Sequence, residues 1–200
     1  MQKQVTHRAL FYKIHTRYKS RNKNLIAHNR LPKSFMIIIL MGVSGCGKTT
    51  VGAKLAANLG WIFQEGDALH PQKNIEKMSC GTPLSDIDRK PWLHNISQWI
   101  DSHCRSDTNG VISCSALKKS YRRILTTNRG DIHLVYLRGT KELLLKRLTQ
   151  RTDHFMPPEL LTSQLHILEE PDIDEHALVL DIDQAPEEIA NNILDSFGLH

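Results

Sequence analysis

No apolar run in this 200-residue chain approaches the roughly 18 to 20 residues that a membrane-spanning helix needs. Its start has no secretory core followed by a small-residue cleavage site. The four cysteines, Cys46, Cys80, Cys104 and Cys114, form no C-x-x-C pair, so neither a disulfide framework nor a thiolate zinc site is indicated. Eleven histidines contain no H-E-x-x-H, and His166 and His176 have no cysteine or histidine at ligand spacing, which argues against protein-bound zinc. The guanine-reading string N-K-x-D is also missing, which argues against a GTPase switch. These absences lead us to expect a soluble protein in a reducing compartment, cytoplasmic unless its first residues are a targeting signal, with no membrane partner.

Acidic side chains are missing from residues 1 to 35, which carry nine Lys or Arg. The other 17 of the 26 basic residues face 21 acidic ones, so the formal charge of +5 belongs to this arm and the remainder is −4. Nucleic-acid binding is therefore not expected of the folded part. Three readings of the arm stand side by side. It is an organelle presequence, with Phe11, Ile14 and Tyr18 on one helical face; a basic tail that touches nucleic acid; or a disordered extension, including upstream sequence read through before a start at Met36. On any of them the chain divides into an arm, 1–35, and one domain, 36–200, large enough to bury its own core.

Within that domain apolar bursts alternate with helical stretches. Strands are expected at 36–41, 61–64, 111–114, 132–137 and 178–182. Helices are expected at 48–59, 71–79, 88–104, 118–126, 140–150, 158–168 and 186–197. Five strands with intervening helices predict an α/β fold with a five-stranded parallel sheet. Ile37-Ile38-Ile39-Leu40 is apolar without alternation, as when helices cover both faces.

Directly after the first strand, Gly42-Val43-Ser44-Gly45-Cys46-Gly47-Lys48-Thr49 spells G-x-x-x-x-G-K-T, with Thr50 continuing into a helix. This is a phosphate-binding loop of the P-loop NTPase type. Its glycines let backbone N–H groups point inward, and the helix behind favours negative charge. Lys48 is expected between the β- and γ-phosphates of ATP, and the Thr49 hydroxyl on Mg²⁺.

Ligands of parallel sheets gather at the carboxyl ends of the strands. After the second strand comes Glu65-Gly66-Asp67, two carboxylates beside the phosphate loop. One can hold Mg²⁺ through water, which we expect of Glu65. The other, Asp67, can accept a hydroxyl proton.

Glu65-Gly66-Asp67 with Leu69-His70-Pro71, then Asn74-Ile75-Glu76-Lys77-Met78, Gly81, Pro83-Leu84 and Asp88-Arg89-Lys90-Pro91-Trp92-Leu93, resembles the thermosensitive-type gluconokinases. Cys114-Ser115-Ala116-Leu117-Lys118-Lys119, Tyr121-Arg122 and Asp153-His154-Phe155-Met156 continue the match, which covers about residue 36 to residue 195. The resemblance implies a fold like that of nucleoside-monophosphate and shikimate kinases, transfer of phosphate from ATP to the 6-hydroxyl of D-gluconate, and a homodimer. Two features depart from it: Glu65 stands where such enzymes usually carry Asp, and the arm has no counterpart in their compact members.

A sugar acid needs cations and hydrogen-bond partners, and the candidates are His70, Lys77, Arg89, Lys118 and Arg122, with Lys118 and Lys119 equivalent on this reading. Residues 143–156 read as a helix ending in a flap. Arg147 and Arg151 lie four apart on one face, the first placed for adenine and the second for the transferring phosphate, roles carried over from related nucleotide kinases. Arg138 and Lys146 read as surface charges.

Other readings make different demands on the chain. Asp107-Thr108-Asn109-Gly110 imitates a GTPase D-x-x-G but precedes a strand, and Val179-Leu180-Asp181 imitates the metal-binding strand of an ATPase from the last position. A kinase for shikimate or a nucleoside monophosphate is the rival within the fold. A basic-armed nucleic-acid binder is the rival outside it.

Overall fold

The computed structural model describes residues 35–129, 131–150 and 159–199. The arm, apart from Phe35, and Arg151 with the flap therefore lie outside the described residues. Five strands, β1 (Ile37–Met41), β2 (Ile62–Gln64), β3 (Gly110–Ser113), β4 (Ile132–Arg138) and β5 (Leu178–Asp181), form one sheet in the order β2-β3-β1-β4-β5, every pair parallel. The helices are α1 (Lys48–Leu59), α2 (Gln72–Ser79), α3 (Asp86–Ser106), α4 (Lys119–Thr126), α5 (Lys141–Thr149), α6 (Glu159–Ile167) and α7 (Pro186–Phe197). The expected helices and strands are all present, with ends shifted by at most two residues.

β1 shows why the sheet is central. All five of its side chains are buried, but they divide by parity. Ile38 and Leu40 enter a core built with Val51 and Leu55 of α1, Leu144 of α5 and Ile189 of α7. Ile37, Ile39 and Met41 enter the opposite core, with Trp92, Ile96 and Ile100 of α3 and Leu125 of α4. Side chains of a strand point alternately to opposite faces, so an unbroken apolar run is what two helical layers require. Phe35, placed in the arm by the sequence reading, is buried in the second of these cores.

Local signals set the helix ends. α1 stops at Gly60, left-handed at φ 65°, whose N–H returns to Ala56 and Ala57 carbonyls. α3 opens on a capping box in which the Ser85 hydroxyl accepts from the Asp88 N–H while the Asp88 carboxylate accepts from the Ser85 N–H. α7 opens with Pro186 and closes at Gly198. Asp107, half of the GTPase imitation, is simply the left-handed cap of α3.

Candidate active site

β1 lies between β3 and β4, so the chain leaves its carboxyl end where the strand order changes direction, and the phosphate loop occupies that switch point. Gly42, Gly45 and Gly47 all have positive φ. At Gly42 a Cβ would stand 2.8 Å from both Cys46 Sγ and the Leu137 carbonyl oxygen, so only glycine closes the turn against β4. Val43 and Cys46 send their side chains into the core and anchor the loop from below. Ser44, Gly45, Gly47, Lys48 and Thr49 line a cavity at the sheet edge, while Thr50 is exposed and not part of the lining.

Lys48 Nζ donates to the carbonyls of Gly42 at 3.0 Å and Val43 at 3.1 Å, which holds the ammonium against the loop. Burial opposes that charge, but the acidic groups around it, the Cys46 thiol and the Asp67 and Glu65 carboxyls among them, outweigh burial and hold its pKa above the usual lysine value. From α6, Gln164 Oε1 accepts the Ser44 N–H at 2.6 Å.

The Glu65-Gly66-Asp67 turn runs from the end of β2 into a short 3₁₀ turn, Gly66–Leu69. Both carboxylates line the cavity together with Lys48 and Thr49. Glu65 Oε1 accepts from the Ser113 hydroxyl, and Oε2 is buried with no hydrogen-bond partner among the described residues. A buried carboxylate oxygen left bare is costly unless a cation or its water completes it. Thr49 lines the same cavity, and an all-oxygen donor pair of this kind suits Mg²⁺.

His70 follows the turn and stacks on Trp92, ring centroids 4.3 Å apart and 11° from parallel. Its Nδ1 lies 3.4 Å from Asn74 Nδ2, which also donates to the Asp88 carbonyl at 2.7 Å. An amide nitrogen can only donate, which assigns the ring hydrogen to Nε2, 4.0 Å from Asp67 Oδ1. Burial, and secondly the charge of Arg89, lower the His70 pKa to about 4, so the ring is neutral near pH 7.

Of the five cationic or imidazole candidates for the sugar acid, the structure brings His70 and Arg89 to the cavity. Arg89 donates to the Leu84 carbonyl at 2.6 Å through Nη1 and stands over the Tyr121 ring at 5.9 Å. Lys77, Lys118 and Arg122 do not line that cavity, and each is engaged elsewhere. Lys77 bonds both oxygens of Asp88, at 3.0 and 2.8 Å, and so supports the α3 capping box. Lys118 reaches both oxygens of Asp86 at 2.8 Å. Arg122 is 1% exposed; it pairs with Glu175 and donates to the carbonyls of Ala116, Leu117 and Glu169.

Arg147 stands beside the phosphate loop. Its Nη1 is 3.8 Å from where a Gly47 Cβ would be, and Nη2 donates to the Ile182 carbonyl just past β5 at 2.5 Å. It does not line the cavity itself. Arg138 is an exposed ion pair with Asp181, which disposes of the ATPase imitation in the last strand.

Several cavity residues escaped the sequence reading: Trp92, Ser115, Leu160, Ser163 and Gln164, along with Ser113 behind Glu65. Ser113 and Ser115 stand at the carboxyl end of β3, and the rule that selected Glu65-Gly66-Asp67 could have selected them. Gln164 had no such signal. On the side away from the loop, Met78, Pro83 and Leu84 form an apolar wall, closed by Leu160 of α6, which packs with Met78 and Leu84.

Comparisons with known proteins agree with this fold. The family model described as "Shikimate kinase" matches residues 44–197. The chain is 44% identical over 160 residues to the gluconokinase of Gluconobacter oxydans (strain 621H), an alignment covering 80% of this chain and 90% of that one. It is 50% identical over 141 residues to the thermosensitive gluconokinase of Escherichia coli (strain K12), covering 70% and 75%. Among solved structures it is similar to a gluconokinase from Sinorhizobium meliloti 1021, with a TM-score of 0.73 at 42% identity, covering 85% of this chain and 94% of that one.

Proposed function

The chain belongs to the gluconokinase family, and from that premise we propose that its cleft transfers the γ-phosphoryl group of ATP to the 6-hydroxyl of D-gluconate, giving 6-phospho-D-gluconate. One observation carries the reading: a phosphate loop with its lysine, the acid Asp67 and the guanidinium-bearing Arg89 line the same cavity.

The division of labour follows from position. The loop amides and Lys48 hold the phosphate tail, and Arg147 marks the adenine end. Thr49 and Glu65 are the residues that would hold Mg²⁺, the latter through water; when bound, the ion adds positive charge where the phosphate oxygens carry negative charge. Arg89 receives the sugar acid's carboxylate as a planar fork, and His70 offers Nε2–H to a hydroxyl beside Asp67. Asp67 accepts the proton of the attacking 6-hydroxyl, so that oxygen can bond to phosphorus as ADP leaves. The apolar wall of Met78, Leu84 and Leu160 limits water, which would otherwise take the phosphate. Arg151 on the transferring phosphate and a homodimer belong to the same proposal and rest on the resemblance, while a cytoplasmic setting rests on the absences in the sequence. No helix among the described residues is long and apolar enough to cross a membrane.

The test is ADP release with magnesium, ATP and a panel of gluconate, shikimate and AMP. Gluconate-dependent release with 6-phosphogluconate as product is the expected result. Release driven by shikimate instead would replace the acceptor, and release indifferent to all three would remove the kinase reading.

A further inference from the structure

We propose that Ser113 is the positioning residue of the metal-binding arm, fixing which oxygen of Glu65 is presented to the cleft. The proposal rests on the reading of Glu65 as the residue that serves Mg²⁺ through water.

The argument is one of proton accounting. Ser113 closes β3 and is 1% exposed, so its hydroxyl has only protein neighbours to satisfy. A hydroxyl has one proton to give and two lone pairs to offer. The Gly66 N–H, which can only donate, fills one lone pair at 3.0 Å. The single proton therefore goes to the other neighbour, Glu65 Oε1, which must be an acceptor. With Oε1 tied down, the remaining oxygen is Oε2, buried and without a hydrogen-bond partner among the described residues.

Two further contacts make this a fixed arrangement. The Trp92 indole N–H donates to the Gly66 carbonyl at 2.7 Å. The Ser113 carbonyl oxygen lies so close to Gly66 that a Cβ there would stand 1.9 Å from it. The turn is thus gripped at both its amide and its carbonyl, with the serine hydroxyl shared between turn and carboxylate. Because Glu has one more rotatable bond than Asp, an acid of this length needs such a restraint to present a single oxygen.

The experiment is calorimetric titration of the full chain with ATP, once in excess magnesium and once in EDTA, for wild type, Ser113→Ala, Glu65→Gln and the double variant. In Ser113→Ala, binding with magnesium is expected to weaken roughly 10-fold, the lower end of what losing a group behind a metal ligand does. Binding in EDTA and the KM for gluconate at saturating Mg-ATP should stay as in wild type. Added to Glu65→Gln, Ser113→Ala should weaken magnesium-dependent binding no further, since its effect runs through that carboxylate. Equal weakening with and without magnesium, no weakening in either, or full additivity would each overturn the proposal. Should Ser113→Ala not fold, Ser113→Cys, close in size and a poor donor, is held to the same outcomes. A wild-type enzyme that binds Mg-ATP as described but does not phosphorylate gluconate would fault the acceptor and leave Ser113 standing.

Discussion

Arg122 and Glu175 form a two-pronged ion pair, Nε to Oε1 at 2.6 Å and Nη2 to Oε2 at 2.7 Å, with the arginine side chain 1% exposed. Arg122 Nη1 also takes the carbonyls of Ala116, Leu117 and Glu169, so one side chain ties the segment after β3 to the segment after α6. Arg122→Ala removes a buried side chain that serves the half-buried Glu175 carboxylate and three carbonyls, and is expected to lower the unfolding free energy by about 3 kcal/mol, measured by urea denaturation. The Arg122 hydrogen bond holds the Glu175 carboxyl below its ordinary range. Its stabilising effect is complete above the unfolded carboxylate pKa of about 4.3 and is lost as pH falls through the folded value. A loss under 1 kcal/mol would refute the clamp.

His70 gives a second pH dependence in a different window. Its folded pKa of about 4 lies below the ordinary 6.5, so between these values the unfolded chain takes up a proton that the folded one refuses. Stability should therefore fall as pH drops from 6.5 to about 4, by no more than about 3 kcal/mol from this group, and level off below. His70→Gln should flatten the unfolding free energy across that window. An unchanged slope would show that the ring titrates normally.

Lys48→Ala is expected to lower turnover roughly 10²- to 10³-fold, the scale for losing a contact to charge developing in the transition state. Asp67→Asn should lower kcat roughly 10²- to 10⁴-fold while ATP binding, followed by calorimetry, is retained. Wild-type turnover in Asp67→Asn would take that residue out of the proton transfer.

Gly66 is a glycine for space, since a Cβ would overlap the backbone carbonyl of Ser113. Neither side can retreat, because Gly66 is pinned by Trp92 and Ser113 by the sheet. Gly66→Ala should cost more than about 3 kcal/mol and collapse kcat together with stability, read by thermal melting and ADP release. A stable, active Gly66→Ala protein would mean that the turn and β3 are not held as described.

The phosphate loop could be read from sequence because its chemistry is local: strand, glycines, lysine and helix are contiguous between Ile37 and Leu59. Glu65-Gly66-Asp67 was found by position, one rule about sheet edges sufficing. A substrate-binding arginine and a buried clamp such as Arg122 are spelled alike. The carboxylate that decides between them, Glu175, lies 53 residues downstream. The pairing of Lys77 and Lys118 was hidden for the same reason, each meeting an acid, Asp88 or Asp86, that stands at the start of α3.

From residue order alone came the parallel sheet, its two helical layers, the nucleotide cradle and the acid beside it, since periodicity, glycine placement and strand ends act over short spans of chain. Packing decided where each described cation is engaged, which oxygen of Glu65 has no hydrogen-bond partner among the described residues, and that Gln164 reaches Ser44 across 120 residues of sequence. A side chain's charge is written in its own codon. Whether that charge is spent inside the fold or offered to a ligand depends on what comes within about 3 Å of it, and only the folded chain sets that distance.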